Sequence, residues 1–147
     1  MDSPTASAVI DFAVNLEEDS AGYYQRLAEK YDEKSEIFML FSKENGKNRT
    51  AVQRAYYGVI SDALEGCFAF NELKLSRYEI DSNIESNESY LESLKRAIDM
   101  ESRIASFYID AAKPARSLLA DVPRAFERIA KKRKERQLTL QNLLTES

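Results

Sequence analysis

The chain has 147 residues, 44% of them hydrophobic, which is enough for one domain with a sizeable core. Only 4 Gly and 3 Pro leave too little turn chemistry for an all-β sandwich, and the abundance of Ala, Leu, Glu, Lys and Arg favours an all-helical protein. A formal net charge of -4 provides no general attraction for phosphate backbones, so nucleic acid is not an expected partner. The single cysteine, Cys67, excludes an intramolecular disulfide and reads as a small apolar residue. The start MDSPTASAVIDFAVNLEED lacks the basic segment and apolar core of a secretion signal, so a cytoplasmic location is expected. No run approaches the roughly 18 apolar residues of a membrane span. The nearest, YYGVISDALEGCFAF, is broken by Asp62 and Glu65.

Ser3 followed by Pro4 reads as an N-cap with proline in the first turn, and the stripe Ile10, Ala13, Val14, Glu17, Ala21, Tyr24, Ala28 predicts a first helix over about 4–31. Asp32 or Ser35 can cap a second over about 35–63, with stripe Ile37, Leu40, Phe41, Glu44, Asn48, Ala51, Ala55 and a weak point at Gly46. Residues 65–86 are less regular and read as a crossover with room for a short helix of its own. Asn87, or Ser89 with Glu92 in capping-box spacing, opens a third helix over about 88–113, which Pro114 ends. Asp121, with Pro123 just inside, opens the fourth, to about 144. Short joins make each pair an antiparallel hairpin. The expected fold is therefore an all-α four-helix bundle of two antiparallel helix pairs joined by one long crossover.

Each apolar stripe carries one charged residue near its middle: Glu17, Glu44, Glu101 and Arg133. An ionised side chain taken out of water must find partners or lose its charge, so four misfits at similar depth predict a shared polar centre. An internal repeat points the same way. LEEDSAGYYQRLA aligns with MESRIASFYIDAA, setting Glu17 over Glu101 and Tyr24 over Tyr108, and LFSKENGK aligns with IAKKRKER, setting Glu44 over Arg133 and Lys47 over Arg136.

On these residues the chain resembles the ferritin-like superfamily of four-helix proteins, and within it the rubrerythrin type. That family holds two irons with a Glu on each of two helices and a Glu-x-x-His on each of the other two. The resemblance implies that Glu17 and Glu101 match the lone glutamates and that Glu44 matches the first Glu of a Glu-x-x-His. Lys47 then stands where the first histidine belongs, and Arg133 and Arg136 where the second Glu and His belong. Tyr24 and Tyr108 become aromatic neighbours of the site, each hydroxyl bonded to a nearby group. The chain has no histidine, and cationic side chains with no free lone pair cannot ligate iron.

Three carboxylates against three cations make a balanced set, so the expectation is a degenerate di-iron site: a buried Glu/Lys/Arg salt-bridge network with no metal, no cofactor and no catalytic residue. The function expected is structural or partner-binding, and the resemblance implies a homo-oligomer such as a dimer. Two alternatives stand beside it. One is a rubrerythrin-type di-iron oxidoreductase reducing peroxide or oxygen, or an iron-handling protein. The other is a binder of acidic partners through the basic face 124–136, which otherwise reads as a solvated helix face.

Overall fold

The computed structural model describes residues 4–59, 70, 73–85, 87–115 and 121–146. Four long helices carry most of them: α1, Ala6–Lys30; α2, Ser35–Val59; α3, Tyr90–Ala115; and α4, Asp121–Glu146. Two short 3-10 turns, Asp32–Lys34 and Leu75–Tyr78, accompany them, the second lying in the expected crossover. Among the described residues there is no strand, and no helix is long and apolar enough to cross a membrane.

The helix ends depart from the sequence reading in places. Thr5, not Ser3, caps α1: its backbone is extended, and its hydroxyl accepts a hydrogen bond from the Ala8 amide at 3.1 Å. Pro4 therefore precedes the helix instead of opening it, and Ser3 lies outside the described residues. Ser89 caps α3, its hydroxyl accepting from the Glu92 amide at 3.1 Å. Pro114 does not end that helix, which continues to Ala115. Proline removes one amide donor and crowds the preceding turn, but Ala111, Ala112 and Ala115 around it are buried and hold the turn in helical register. The end predicted for the second helix near residue 63, and Cys67, lie outside the described residues.

The core is aliphatic and aromatic, with Leu27, Phe38, Leu94, Ile104, Phe107, Phe126 and Leu140 all buried. Against α1, residues Phe41, Asn45 and Asn48 of α2 meet Tyr24, Ser20 and Glu17, so partner numbers fall along α1 as they rise along α2. The same order holds between α3 and α4, where Tyr108 packs on Phe126, Glu101 meets Arg133, and the Ile98 carbonyl accepts from Gln137.

The segment leading into α3 lies along the bundle. The Phe70 amide donates to the Pro4 carbonyl at 2.8 Å, at the start of α1, and the Glu88 carbonyl accepts from Lys30 at 2.7 Å, at its end. Between those points the backbone is held by cations. Arg103 donates to the Glu79 carbonyl at 3.2 Å, Arg96 to the Asp81 carbonyl at 3.1 Å, and Arg26 to the Ser82 carbonyl.

Candidate functional site

Arg133 lies on the inward stripe of α4, between the turns of Ile129/Ala130 and Leu140, and is 0% exposed. No solvated alternative exists for a guanidinium there, so it must be saturated by the protein. Its Nη1 donates to both carboxylate oxygens of Glu101 at 2.8 Å, and its Nη2 donates to Glu17 Oε1 at 2.6 Å and Ser20 Oγ at 3.0 Å. One cation thus bridges α1 and α3. Its Nε is buried with no hydrogen-bond partner among the described residues.

The two glutamates are completed by exchanged tyrosines. Tyr108 of α3 donates to Glu17 Oε2 of α1 at 2.6 Å, and Tyr24 of α1 donates to Glu101 Oε2 of α3. A further donor reaches each carboxylate from the other two helices: Asn48 of α2 to Glu17 at 3.2 Å, and Arg136 of α4 to Glu101 at 3.3 Å. Arg136 also donates to Asn45 Oδ1 at 2.7 Å, to Glu44 Oε1 at 3.2 Å and to the Phe41 carbonyl at 3.3 Å. Its guanidinium carbon lies 4.6 Å from the centre of the Phe41 ring, a cation–π contact in a desolvated position. Ser20 relays the network outward, accepting from Asn45 at 3.1 Å and donating to the Leu16 carbonyl at 2.7 Å.

Burial alone would push the Glu101 carboxyl up, but Arg133 and Arg136 beside it, with hydrogen bonds from Tyr24 and Arg133, hold it below the usual carboxylate range. Burial likewise works against the Arg133 charge, and Glu101 and Glu17 overcome it, raising its affinity for the proton further. Tyr24 and Tyr108 are pushed well above the ordinary phenol value, chiefly by burial and then by the adjacent Glu101 and Glu17. Every one of these shifts carries the pKa further from the neutral pH range, holding the glutamate and the arginine charged and the tyrosines protonated, the reverse of what a general acid or base needs. The arrangement suits permanent charge.

Of the residues singled out by sequence, Glu17, Tyr24, Glu101, Tyr108, Arg133 and Arg136 meet in this centre. Glu44 reaches only its edge, with its side chain 44% exposed. Lys47 does not take part: it is exposed. The inward positions of α2 are Phe41, Asn45, Asn48 and Val52, all buried, and one residue of slippage turns a side chain by about 100°. The pattern had set Glu44 and Lys47 against Arg133 and Arg136, whereas the side chains that enter are Asn45 and Asn48, one residue further on. Their own spacing is the signal that could have found them, since Asn45-x-x-Asn48 repeats the interval of Arg133-x-x-Arg136. Ser20, on the same face of α1 as Glu17 and Tyr24, was also missed.

These residues do not fit a pair of iron ions. All four carboxylate oxygens of Glu17 and Glu101 already accept from Arg133, Arg136, Tyr24, Tyr108 or Asn48, and the Arg133 guanidinium occupies the space between the two carboxylates. Among the described residues no group of three or more His, Cys, Asp or Glu could hold a metal ion. No family model, curated protein or solved structure matches the chain.

Proposed function

We propose that the protein is a ferritin-like bundle related to the rubrerythrins, two antiparallel helix pairs joined by a long crossover, in which a buried guanidinium has replaced the di-iron centre. Its role on this reading is non-catalytic: a rigid structural or partner-binding module. The observation that carries it is the exchange across the centre, where Tyr24 serves Glu101 and Tyr108 serves Glu17 with Arg133 between the carboxylates. Two glutamates converging from α1 and α3 serve no packing purpose that apolar residues would not serve better, since a buried ion pair rarely outperforms a hydrophobic isostere. A site inherited from a metal protein and refilled with a cation accounts for both. The reversed order of contacts in each helix pair, and the path of the segment before α3 from one end of α1 to the other, support the topology.

The test is to rebuild the site. Asn45→Glu, Asn48→His, Arg133→Glu and Arg136→His together create a Glu-x-x-His on α2 and another on α4, facing Glu17 and Glu101. Without metal this variant should melt well below the parent, because four carboxylates converge with no cation and must partly protonate to coexist. Ferrous or manganous ion should raise its melting temperature by mass action, while the parent ignores either ion. A variant that folds and is indifferent to metal would leave the bundle standing and remove the ferritin-like reading of its centre.

A further inference from the structure

The basic run of α4 divides around the bundle. Arg133 and Arg136 are buried in the centre, and Lys132 and Glu135 line a groove toward α2. Lys131 and Lys134 turn the other way, to a groove between α3 and α4 that Lys113 borders from the α3 side. The floor of that groove is apolar and its side chains are mostly small: Ala112 and Ala130 are buried and Ile109 is half-buried. Leu138 continues the face one turn beyond Lys134 and is 62% exposed. It stands level with Ile98 of α3, whose carbonyl accepts from the adjacent Gln137.

Three lysines and one acid, Glu127, line this groove, although acidic residues outnumber basic ones by 25 to 21 in the whole chain. Lys113 has a partner beside the groove, Asp110 at 3.7 Å. Lys131 and Lys134 make no ion pair among the described residues. Glu127 and Glu135 flank Lys131 at the spacing where helical ion pairs form, and neither is within reach of it. The remaining charges nearby face elsewhere. Lys95, Asp99 and Arg103 line the groove against the segment before α3, while Arg124 and Arg128 are exposed and add positive charge to the outer flank of α4.

We infer that the α3–α4 groove docks an acidic amphipathic helix of a partner protein, its apolar side on Ala112, Ala130, Ile109 and Leu138 and its carboxylates against Lys113, Lys131 and Lys134. The inference rests on the partner-binding side of the proposed role. Alanines in the floor allow a third helix to approach to the usual interaxial distance of about 8–10 Å. Apolar residues recurring every three or four positions are what a groove between two helices receives. A nucleic acid suits the face poorly, because no aromatic side chain is offered for a base to stack on and the apolar floor gives phosphates nothing. A lipid surface is flat, whereas here the apolar side chains are recessed and the lysines form the rims. A basic helix would be repelled from both rims. Cations on either side of a recessed apolar strip select a ridge that is apolar at its crest and acidic on its flanks.

The experiment titrates the full chain into a fluorescein-labelled helical peptide with leucines on one face and glutamates on the other, read by anisotropy. The parent is expected to bind it, more weakly as salt is raised, and to ignore the same peptide with lysine in place of every glutamate. Lys131→Glu with Lys134→Glu should weaken the acidic peptide by about tenfold or more and admit the lysine peptide, with the melting temperature of the chain unchanged. Lys95→Glu with Lys132→Glu makes the same change of charge on grooves that face elsewhere, and should leave binding within about twofold of the parent. A parent that does not bind the acidic peptide overturns the proposal, as does an equal loss in both double variants. Tighter binding of a single-stranded oligonucleotide or of phosphatidylserine vesicles than of the peptide, lost with Lys131 and Lys134, also overturns it. None of these outcomes bears on the rebuilt site, whose readout is melting with and without metal, so failure here leaves the reading of the centre and a structural role standing.

Discussion

Around the buried centre α1 and α3 contribute alike, whereas α2 and α4 do not. Glu17 and Tyr24 offer α3 the same carboxylate and phenol that Glu101 and Tyr108 offer α1. At the matching positions of the other two helices stand the amides Asn45 and Asn48 on one side and the guanidinium groups of Arg133 and Arg136 on the other. All the compensating positive charge at the middle therefore comes from α4. The symmetric half of the site is a pair of acceptors that any suitable cation could satisfy, and the asymmetric half decides which cation it is.

The strongest way to break this contrast is Arg133→Ala. It leaves two buried carboxylates short of their cation, so the loss should be about 3–5 kcal/mol by chemical denaturation, not the smaller cost of a missing contact. Arg133→Met, which restores most of the volume, should lose nearly as much. A loss within about 0.5 kcal/mol for either variant would mean that the glutamates do not depend on this side chain.

The symmetry of α1 and α3 predicts matching effects of Tyr24→Phe and Tyr108→Phe. Each removes one donor from a buried carboxylate and should cost about 1–3 kcal/mol, with the two values close to one another. The same groups set the pH response. The Glu101 carboxyl is held below its ordinary value of 4.5, so its contribution is complete above that pH and is lost as pH falls through the lowered folded value. Tyr24 and Tyr108 are raised above 10.0, so theirs is complete below that pH and is lost as pH rises through the raised values. Melting temperature against pH should show a flat interval between these limits, and Glu101→Gln should flatten the acid limb relative to the parent. An acid limb unchanged by Glu101→Gln would assign it to other carboxylates.

The smallest effects sharpen the reading of α2. Asn48→Ala should cost about 1 kcal/mol, a single donor to Glu17 among three. Lys47→Ala, at an exposed position, should change stability by no more than about 0.5 kcal/mol. If the order were reversed, Lys47 and not Asn48 would be the inward residue.

Why Arg133 was legible and Asn48 was not is a matter of chemistry. A guanidinium in an apolar stripe has no inexpensive explanation, so its position alone forecasts carboxylate partners, and Glu17 and Glu101 were the available ones. Asparagine is neutral and common on solvated helix faces, so Asn45 and Asn48 send no such signal even though Asn48 fell on the stripe. The charges of Glu44 and Lys47 stand out instead, one residue before each of the side chains that enter. Helix ends show the same division. Ser89 was identifiable because the capping spacing to Glu92 is specific, while Ser3 and Thr5 offered the same hydroxyl and only the backbone geometry at Thr5 separates them. The four helices themselves were evident from periodicity, because apolar spacing is set by helix geometry and not by which polar residue fills a gap.

The segment before α3 is gripped by its main chain as well as by side-chain contacts of Tyr78 with Asp110 and of Asp81 and Glu88 with Arg96. Arg26, Lys30, Arg96 and Arg103 project from α1 and α3 and donate to carbonyls at Ser82, Glu88, Asp81 and Glu79, groups that every amino acid possesses. That part of the path is encoded in the helices, while Tyr78, Asp81 and Glu88 are the segment's own contribution. Substitutions along 79–85 that keep Asp81 and leave Ile80 and Ile84 apolar should be absorbed with little change in course. A chain that keeps the four cations can therefore vary at the remaining positions of this stretch and still lay it along the same course.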